Sequence, residues 1–219
     1  MAALELTTDR PLALASAQYL SRAPHGDVVE VGLELFAEGN AMTQAGFTLR
    51  SAGTVVLRGH ASLGGRELGI DDAWYRGPEA PPPDECPPRS RSTESDHSFT
   101  DLADLRVARS VPGERRVMYW SRVRDGLAGS SPILAALGDL LPSGMRVTLD
   151  SSFRGSSLDN TIRIAATEPA EWVLIDLETS AFRHGVGHGT ARIYSREGRL
   201  LASGSQCFGV TRLTGPLDR

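Results

Sequence analysis

The sequence predicts an α+β fold in which two antiparallel sheets each wrap one central helix, so that a single structural unit occurs twice. Three observations predict it. Strand-like stretches alternate apolar and polar residues with a period of two, and one clear amphipathic helix stands among them. Two segments of matching design also lie at a constant separation of 145 residues, which indicates an internal repeat.

The repeat is read most directly from residues 27–63, "DVVEVGLELFAEGNAMTQAGFTLRSAGTVVLRGHASL", and residues 172–208, "WVLIDLETSAFRHGVGHGTARIYSREGRLLASGSQCF". Both run as a long strand, a turn, a second strand, a tight glycine turn and a third strand. Gly53 falls over Gly198, and Gly59 over Gly204. In front of the second segment lie a strand at 117–124 and a helix at 129–144, with Ser131 as N-cap and Pro132 at the first helical position. Ile133, Leu134, Leu137, Leu140 and Leu141 form the apolar side of that helix. A strand at 157–165 follows, and "LALASAQYL" (12–20) is its counterpart in the first copy. The helix has no such counterpart, since its equivalent positions fall before residue 1 and "MAALEL" supplies at most a last turn. The unit is therefore a strand, a helix and four further strands, one curved sheet around a helix. That is the hotdog architecture, doubled, with the first copy expected to lack its opening strand and helix. The Pro- and Ser-rich stretch "GPEAPPPDECPPRSRSTESD" (77–96) reads as an exposed linker. The expected division is a first, non-catalytic unit at 1–76, a connecting segment at 77–110 and a second, catalytic unit at 111–219.

Composition narrows the function. The chain has 219 residues, enough for a sizeable core, and a formal charge of −4 with no long basic stripe, which argues against nucleic acid and anionic membrane as partners. No run approaches the roughly 18 to 20 apolar residues of a membrane-spanning helix, and the opening residues do not read as a secretory signal. A cytoplasmic location is the expectation. Two cysteines, Cys86 and Cys207, give neither a disulfide framework nor a metal cluster.

Four stretches carry a family resemblance: "LAALGDLLPSG", "SLDNTIRI", "EWVLIDLETSAFRHGVGHGTARIYSREGRLLASGSQ", and the ending "SQCFGVTR", in which Gln206 stands on an otherwise apolar strand face with Ala202, Gly204, Phe208 and Val210. In the first half "QYLSRAP" and "LFAEGNAMTQAGFTLRSAG" add to it. The chain resembles the acyl-CoA thioesterase II family, the double-hotdog thioesterases. The resemblance implies hydrolysis of fatty acyl-CoA to free fatty acid and CoA, without cofactor or metal, by a water held by an aspartate, a hydroxyl and a glutamine. Carried onto this sequence by motif, these are Asp139, Ser157 and Gln206. Asp139 would act as general base or orient the water, and Ser157 and Gln206 would fix it. Backbone N–H groups near the helix start at 132 would receive the carbonyl oxygen. At the repeat offset, Ala61 stands for Gln206 and Leu12 for Ser157, so only one copy carries the polar set.

Other readings bear on the same residues. Asp139 lies away from the Ile133/Leu137/Leu140 stripe and reads as solvent-facing unless that face meets a second hotdog or another subunit. Asp159 is the competing carboxylate, with a hydrogen bond at the strand start as its expected role. His184 and His188 have a spacing that suggests zinc on a helix, but the intervening glycines favour a turn. No serine has the G-x-S-x-G setting of a serine hydrolase. A non-catalytic module that binds acyl-CoA or an acyl carrier is the alternative from another class. A hydratase is a third, opposed by the absence of histidine from the strand–helix stretch. Exposed sheet edges and the incomplete first copy favour a homo-oligomer.

Overall fold

The computed structural model describes residues 1–70, 72–89, 103–123 and 126–215. In chain order it contains helix α1 (Ala2–Thr8), strands β1 (Leu12–Tyr19), β2 (Val29–Glu38), β3 (Met42–Ser51), β4 (Thr54–Gly64), β5 (Ala103–Arg109) and β6 (Arg116–Val123). Helices α2 (Ser131–Leu137) and α3 (Leu141–Thr148) follow, then strands β7 (Ser152–Ile164), β8 (Trp172–Arg183), β9 (Val186–Ser195) and β10 (Leu200–Gly215). Among the described residues no helix is long and apolar enough to cross a membrane.

Tight turns set the strand register. Ala52 and Gly53, at φ of 47° and 78°, connect β3 to β4 in two residues, and His184 and Gly185, at 52° and 75°, connect β8 to β9. Positive φ at both central positions matches the right-handed twist of the flanking strands.

The strands form one ten-stranded antiparallel sheet in the order β2-β3-β4-β1-β7-β10-β9-β8-β6-β5. The expected pair of separate sheets is therefore continuous, because β1 and β7 present free edges that hydrogen-bond to each other. The order β2-β3-β4-β1 is met in reverse by β7-β10-β9-β8. At the junction Ser16 lies opposite Thr161 with their hydroxyls 2.8 Å apart, and these two residues are separated by the repeat offset of 145.

One face of the sheet packs on the helices. Leu134, Leu137, Leu141 and Met145 are buried against a core that includes Val117, Ile175, Leu177, Ile193, Leu201 and Phe208. Burying each such side chain contributes about 2 kcal/mol relative to leaving it in water. Gly144 permits the close approach, since a Cβ there would lie 3.3 Å from Leu177 Cβ.

Several elements differ from expectation. The helix expected over 129–144 is broken into α2, a 3₁₀ turn at Gly138–Leu140, and α3. Pro142 has no N–H to donate, and its ring would clash with the Gly138 carbonyl in an unbroken helix. Ser130 is the N-cap, without a side-chain capping bond, while the Ser131 hydroxyl donates to Glu5 Oε2 at 2.6 Å. That bond ties α2 to α1, a helix of seven residues where one last turn was expected. Strand β7 starts at Ser152, five residues before the expected 157. Within the connecting segment 77–110, residues 103–109 form β5 and pair with β6. Residues before it also pack onto the outer face of the sheet. Trp120 Nε1 donates to the Pro81 carbonyl at 2.8 Å, and Cys86 is buried beside Trp120, Trp172 and Leu174. Residues 90–102 of that segment, and Arg124 at the end of the strand expected over 117–124, lie outside the described residues.

Candidate active site

Strand alternation alone brings Gln206 to the helix-facing side of the sheet. Ala202, Gly204, Gln206 and Phe208 are all buried, and Gln206 is 2% exposed. Gly189 lies opposite Gln206 on β9 and Asn160 opposite it on β7.

Ser157 reaches the same face through a fault in β7. Cys207 pairs with Asp159 and Phe208 with Ser157, so Leu158 is an extra residue without a partner on β10. Such a bulge shifts the phase of alternation. Asn160 and Ser157, three residues apart, thereby point inward together, and Leu158 is turned out at 43% exposure. Asp159 is held on the other side, where its Oδ1 accepts the Cys207 N–H at 2.6 Å. This is the backbone role expected of Asp159, placed at a mid-strand bulge instead of a strand start.

Asp139 is delivered by the helix break. Gly138 lets the 3₁₀ turn settle on β7, because a Cβ there would lie 3.2 Å from Ile162 Cδ1. The carboxylate faces inward, and the solvent-facing position derived from a regular helical wheel does not apply to a 3₁₀ turn. Gln206 Nε2 donates to Asp139 Oδ1 and, at 2.8 Å, to Ser157 Oγ. The Ser157 hydroxyl in turn donates to Asp139 Oδ1 at 3.3 Å. The three side chains singled out in the sequence thus meet in one hydrogen-bonded cluster.

Burial pushes the Asp139 carboxyl up to about 6, against the lowering effect of hydrogen bonds from Ser157 and Tyr19. Tyr19 reaches this carboxylate from β1, in the other half of the sheet. Its phenol is pushed above the usual range by burial first, then by Asp139. Two acceptors, Gln206 Oε1 and Asn160 Oδ1, are buried without a hydrogen-bond partner. Neither Tyr19 nor Asn160 was singled out from sequence. Tyr19 continues the inward phase of Ala15 and Ala17 in "LALASAQY", which is the signal that was present, whereas the bulge conceals the phase of Asn160.

The first turn of α2, whose backbone N–H groups were expected from sequence to receive the carbonyl oxygen, lies two helical turns before Asp139, and there the Ser131 hydroxyl donates to Glu5 Oε2. His184 sits in the β8–β9 turn, and His188 is exposed on β9, so the two do not share a helix face. Among the described residues no cluster of three or more histidine, cysteine or acidic side chains is placed to hold a metal.

Residues 78–210 match the model of the acyl-CoA thioesterase C-terminal domain family. The chain belongs to the acyl-CoA thioesterase family. This thioester hydrolase is also similar to solved structures. A protein from Novosphingobium aromaticivorans assigned as a thioesterase shares 28% identity at a TM-score of 0.89, over 96% of this chain and 84% of its own. A hotdog-fold protein from Alicyclobacillus acidocaldarius shares 17% identity at a TM-score of 0.79, over 95% and 80% of the two chains. An acyl-CoA thioesterase II from Mycobacterium marinum shares 21% identity at a TM-score of 0.75, over 94% and 82%. The last two likenesses show a shared hotdog fold. No curated protein matches the thioesterase in sequence.

Proposed function

We propose that this thioesterase is a double hotdog that hydrolyses fatty acyl-CoA to free fatty acid and CoA, with the second unit carrying the chemistry. The observation that carries this reading is the Asp139–Ser157–Gln206 cluster with Gln206 Oε1 left as a buried, unpaired acceptor. A buried acceptor without a partner costs on the order of 1–3 kcal/mol, so it is ready to take a proton donor from outside the chain. A water donating one hydrogen to Gln206 Oε1 and the other to Asp139 keeps a lone pair free for the thioester carbon. Asp139 takes a proton as the carbon–oxygen bond forms. The tetrahedral intermediate collapses by breaking the carbon–sulfur bond, and the CoA thiolate leaves and takes up a proton.

An apolar acyl group suits the surface next to the cluster. Tyr19, Leu57, Leu49 and Val31 lie in register across β1, β4, β3 and β2. Leu57 and Leu49 are half-buried on the core side, and Val31 is 54% exposed. The strand edge at β2, with Val31 and Phe36 exposed, is the surface through which we expect copies of the chain to associate.

The test is release of CoA thiol, followed with a thiol-reactive dye over short to long acyl-CoAs. Asp139→Ala and Gln206→Ala are each expected to lower kcat by roughly 100-fold or more while remaining folded. Wild-type turnover unchanged by both substitutions would move the chemistry to other residues. Turnover of no acyl-CoA of any length would remove this substrate class.

A further inference from the structure

We propose that Tyr19, carried by the first half of the chain, is a positioning residue that fixes the Asp139 carboxylate, and that Asn160 holds Tyr19 in turn. The inference rests on the role of Asp139 given above and makes the active centre a joint product of both halves. Strand β1 runs beside β7 with Ala17 opposite Asn160 and Gln18 opposite Asp159. Tyr19 comes next, level with the Leu158 bulge, on the face where Ser157 and Asn160 also point. A half-buried phenol needs a partner for its hydroxyl. The β1–β7 register sets the phenol beside these side chains, close enough for Asp139 and Asn160 both to bear on its ionisation, and the Asn160 amide can donate to the phenol oxygen.

Asp139 needs such a partner. It stands on a three-residue 3₁₀ turn between two short helices, so the backbone alone holds its side chain loosely. Ser157 and Gln206 both address Oδ1, and Tyr19 adds a donor from a third strand. The repeat supplies an independent argument. Shifted by the offset of 145, Tyr19 corresponds to Ile164, and Asn160, Ser157 and Gln206 correspond to Ala15, Leu12 and Ala61. Polar residues stand at Tyr19, Asn160, Ser157 and Gln206, and apolar ones at the four equivalent places, so the tyrosine belongs with the polar set and not to the scaffold of the repeat.

Beside the Tyr19–Asp139 pair, Asp159 is the further charged neighbour that acts on the phenol, and it pushes the phenol up further. Apart from Asp139, α2 and α3 carry only Arg146, whose guanidinium lies over the Phe153 ring. On β7, Arg154 and Arg163 are exposed, and Asp159 is turned to the Cys207 N–H. Strand β9 turns His188 to solvent and places Arg192 over Tyr75, while β10 faces the pair with Gln206 and carries Arg212 exposed near its end.

Tyr19→Phe keeps the ring and removes the hydroxyl. Ionised Asp139 is the active form, and loss of a donor makes ionisation harder. The acid limb of kcat, followed from roughly pH 5 to pH 9 by CoA thiol release, is expected to move up by about one pH unit. KM for the same acyl-CoA should stay within about twofold. Asn160→Ala, acting through Tyr19, should move the limb the same way by less, and should add nothing in the Tyr19→Phe background. An unmoved limb in a folded Tyr19→Phe protein overturns the proposal, as do shifts from the two substitutions that simply add. Full turnover by Asp139→Ala removes the Asp139 reading itself, and this inference with it.

Discussion

Asp139 shows what a buried polar cluster costs the carboxylate placed in it. Its carboxyl is raised from the ordinary 3.8 to about 6, chiefly by burial. The folded protein therefore binds this proton more tightly than the unfolded chain does. The resulting stabilisation is complete below about pH 4 and is lost as pH rises through about 6. Asp139→Asn imitates the protonated form, and its amide oxygen can still accept from Ser157 and Gln206. Above pH 7 that variant should exceed wild type by about 3 kcal/mol in urea unfolding, with the difference shrinking as pH falls below 6. Equal stabilities across that range would mean that the carboxylate is better solvated than its surroundings indicate. At this scale the sequence was informative for the residues that a motif marks. It was silent for Tyr19, because a tyrosine at the end of a strand is ordinary until the strand's neighbour is known.

Among the elements, two irregularities do the positioning. The bulge at Leu158 turns Ser157 and Asn160 inward together, and the 3₁₀ turn ahead of Pro142 turns Asp139 toward them. Both run against the simple periods of 2 and 3.6 from which strands and helices are read, so neither was legible in advance. The elements themselves were legible wherever alternation was clean, as in β10. Strand β5 was missed because "ADLRVAR" follows a Pro- and Ser-rich stretch and is too short to assert its own period. The close fit of helix to sheet can be tested at Gly189, opposite Gln206. A Cβ there would come within 2.3 Å of the Glu178 carbonyl oxygen and 3.0 Å of Leu141 Cδ1. Gly189→Ala should destabilise by about 1–3 kcal/mol in equilibrium unfolding. It should also lower kcat, since Leu141 adjoins the turn that carries Asp139. An alanine accepted without loss of either would show that β8 and α3 yield easily.

For the whole molecule, the repeat offset read from sequence also marks the seam, where Ser16 meets Thr161. That the halves share one sheet was not legible, because nothing local specifies which strand edges find each other. On the proposed reading the first half has two tasks: β1 carries Tyr19 to the Asp139 cluster, and the row through Leu57 and Leu49 offers an apolar bed beside it. Leu49→Arg, remote from the reacting atoms, should lower kcat/KM for long acyl-CoAs by roughly tenfold and leave the shortest ones nearly unchanged. Equal loss at every chain length would place the acyl group elsewhere.

Between identical subunits meeting at such a seam, every substitution is made twice, and a residue gained for one centre is gained for its mirror image as well. A chain that contains both sides escapes that bond. Position 19 can hold a tyrosine while position 164 holds an isoleucine, and position 206 a glutamine while position 61 holds an alanine. Symmetry in the backbone is retained, but heredity no longer enforces it on the side chains. One flank of the seam is thereby free to specialise in chemistry and the other in serving it.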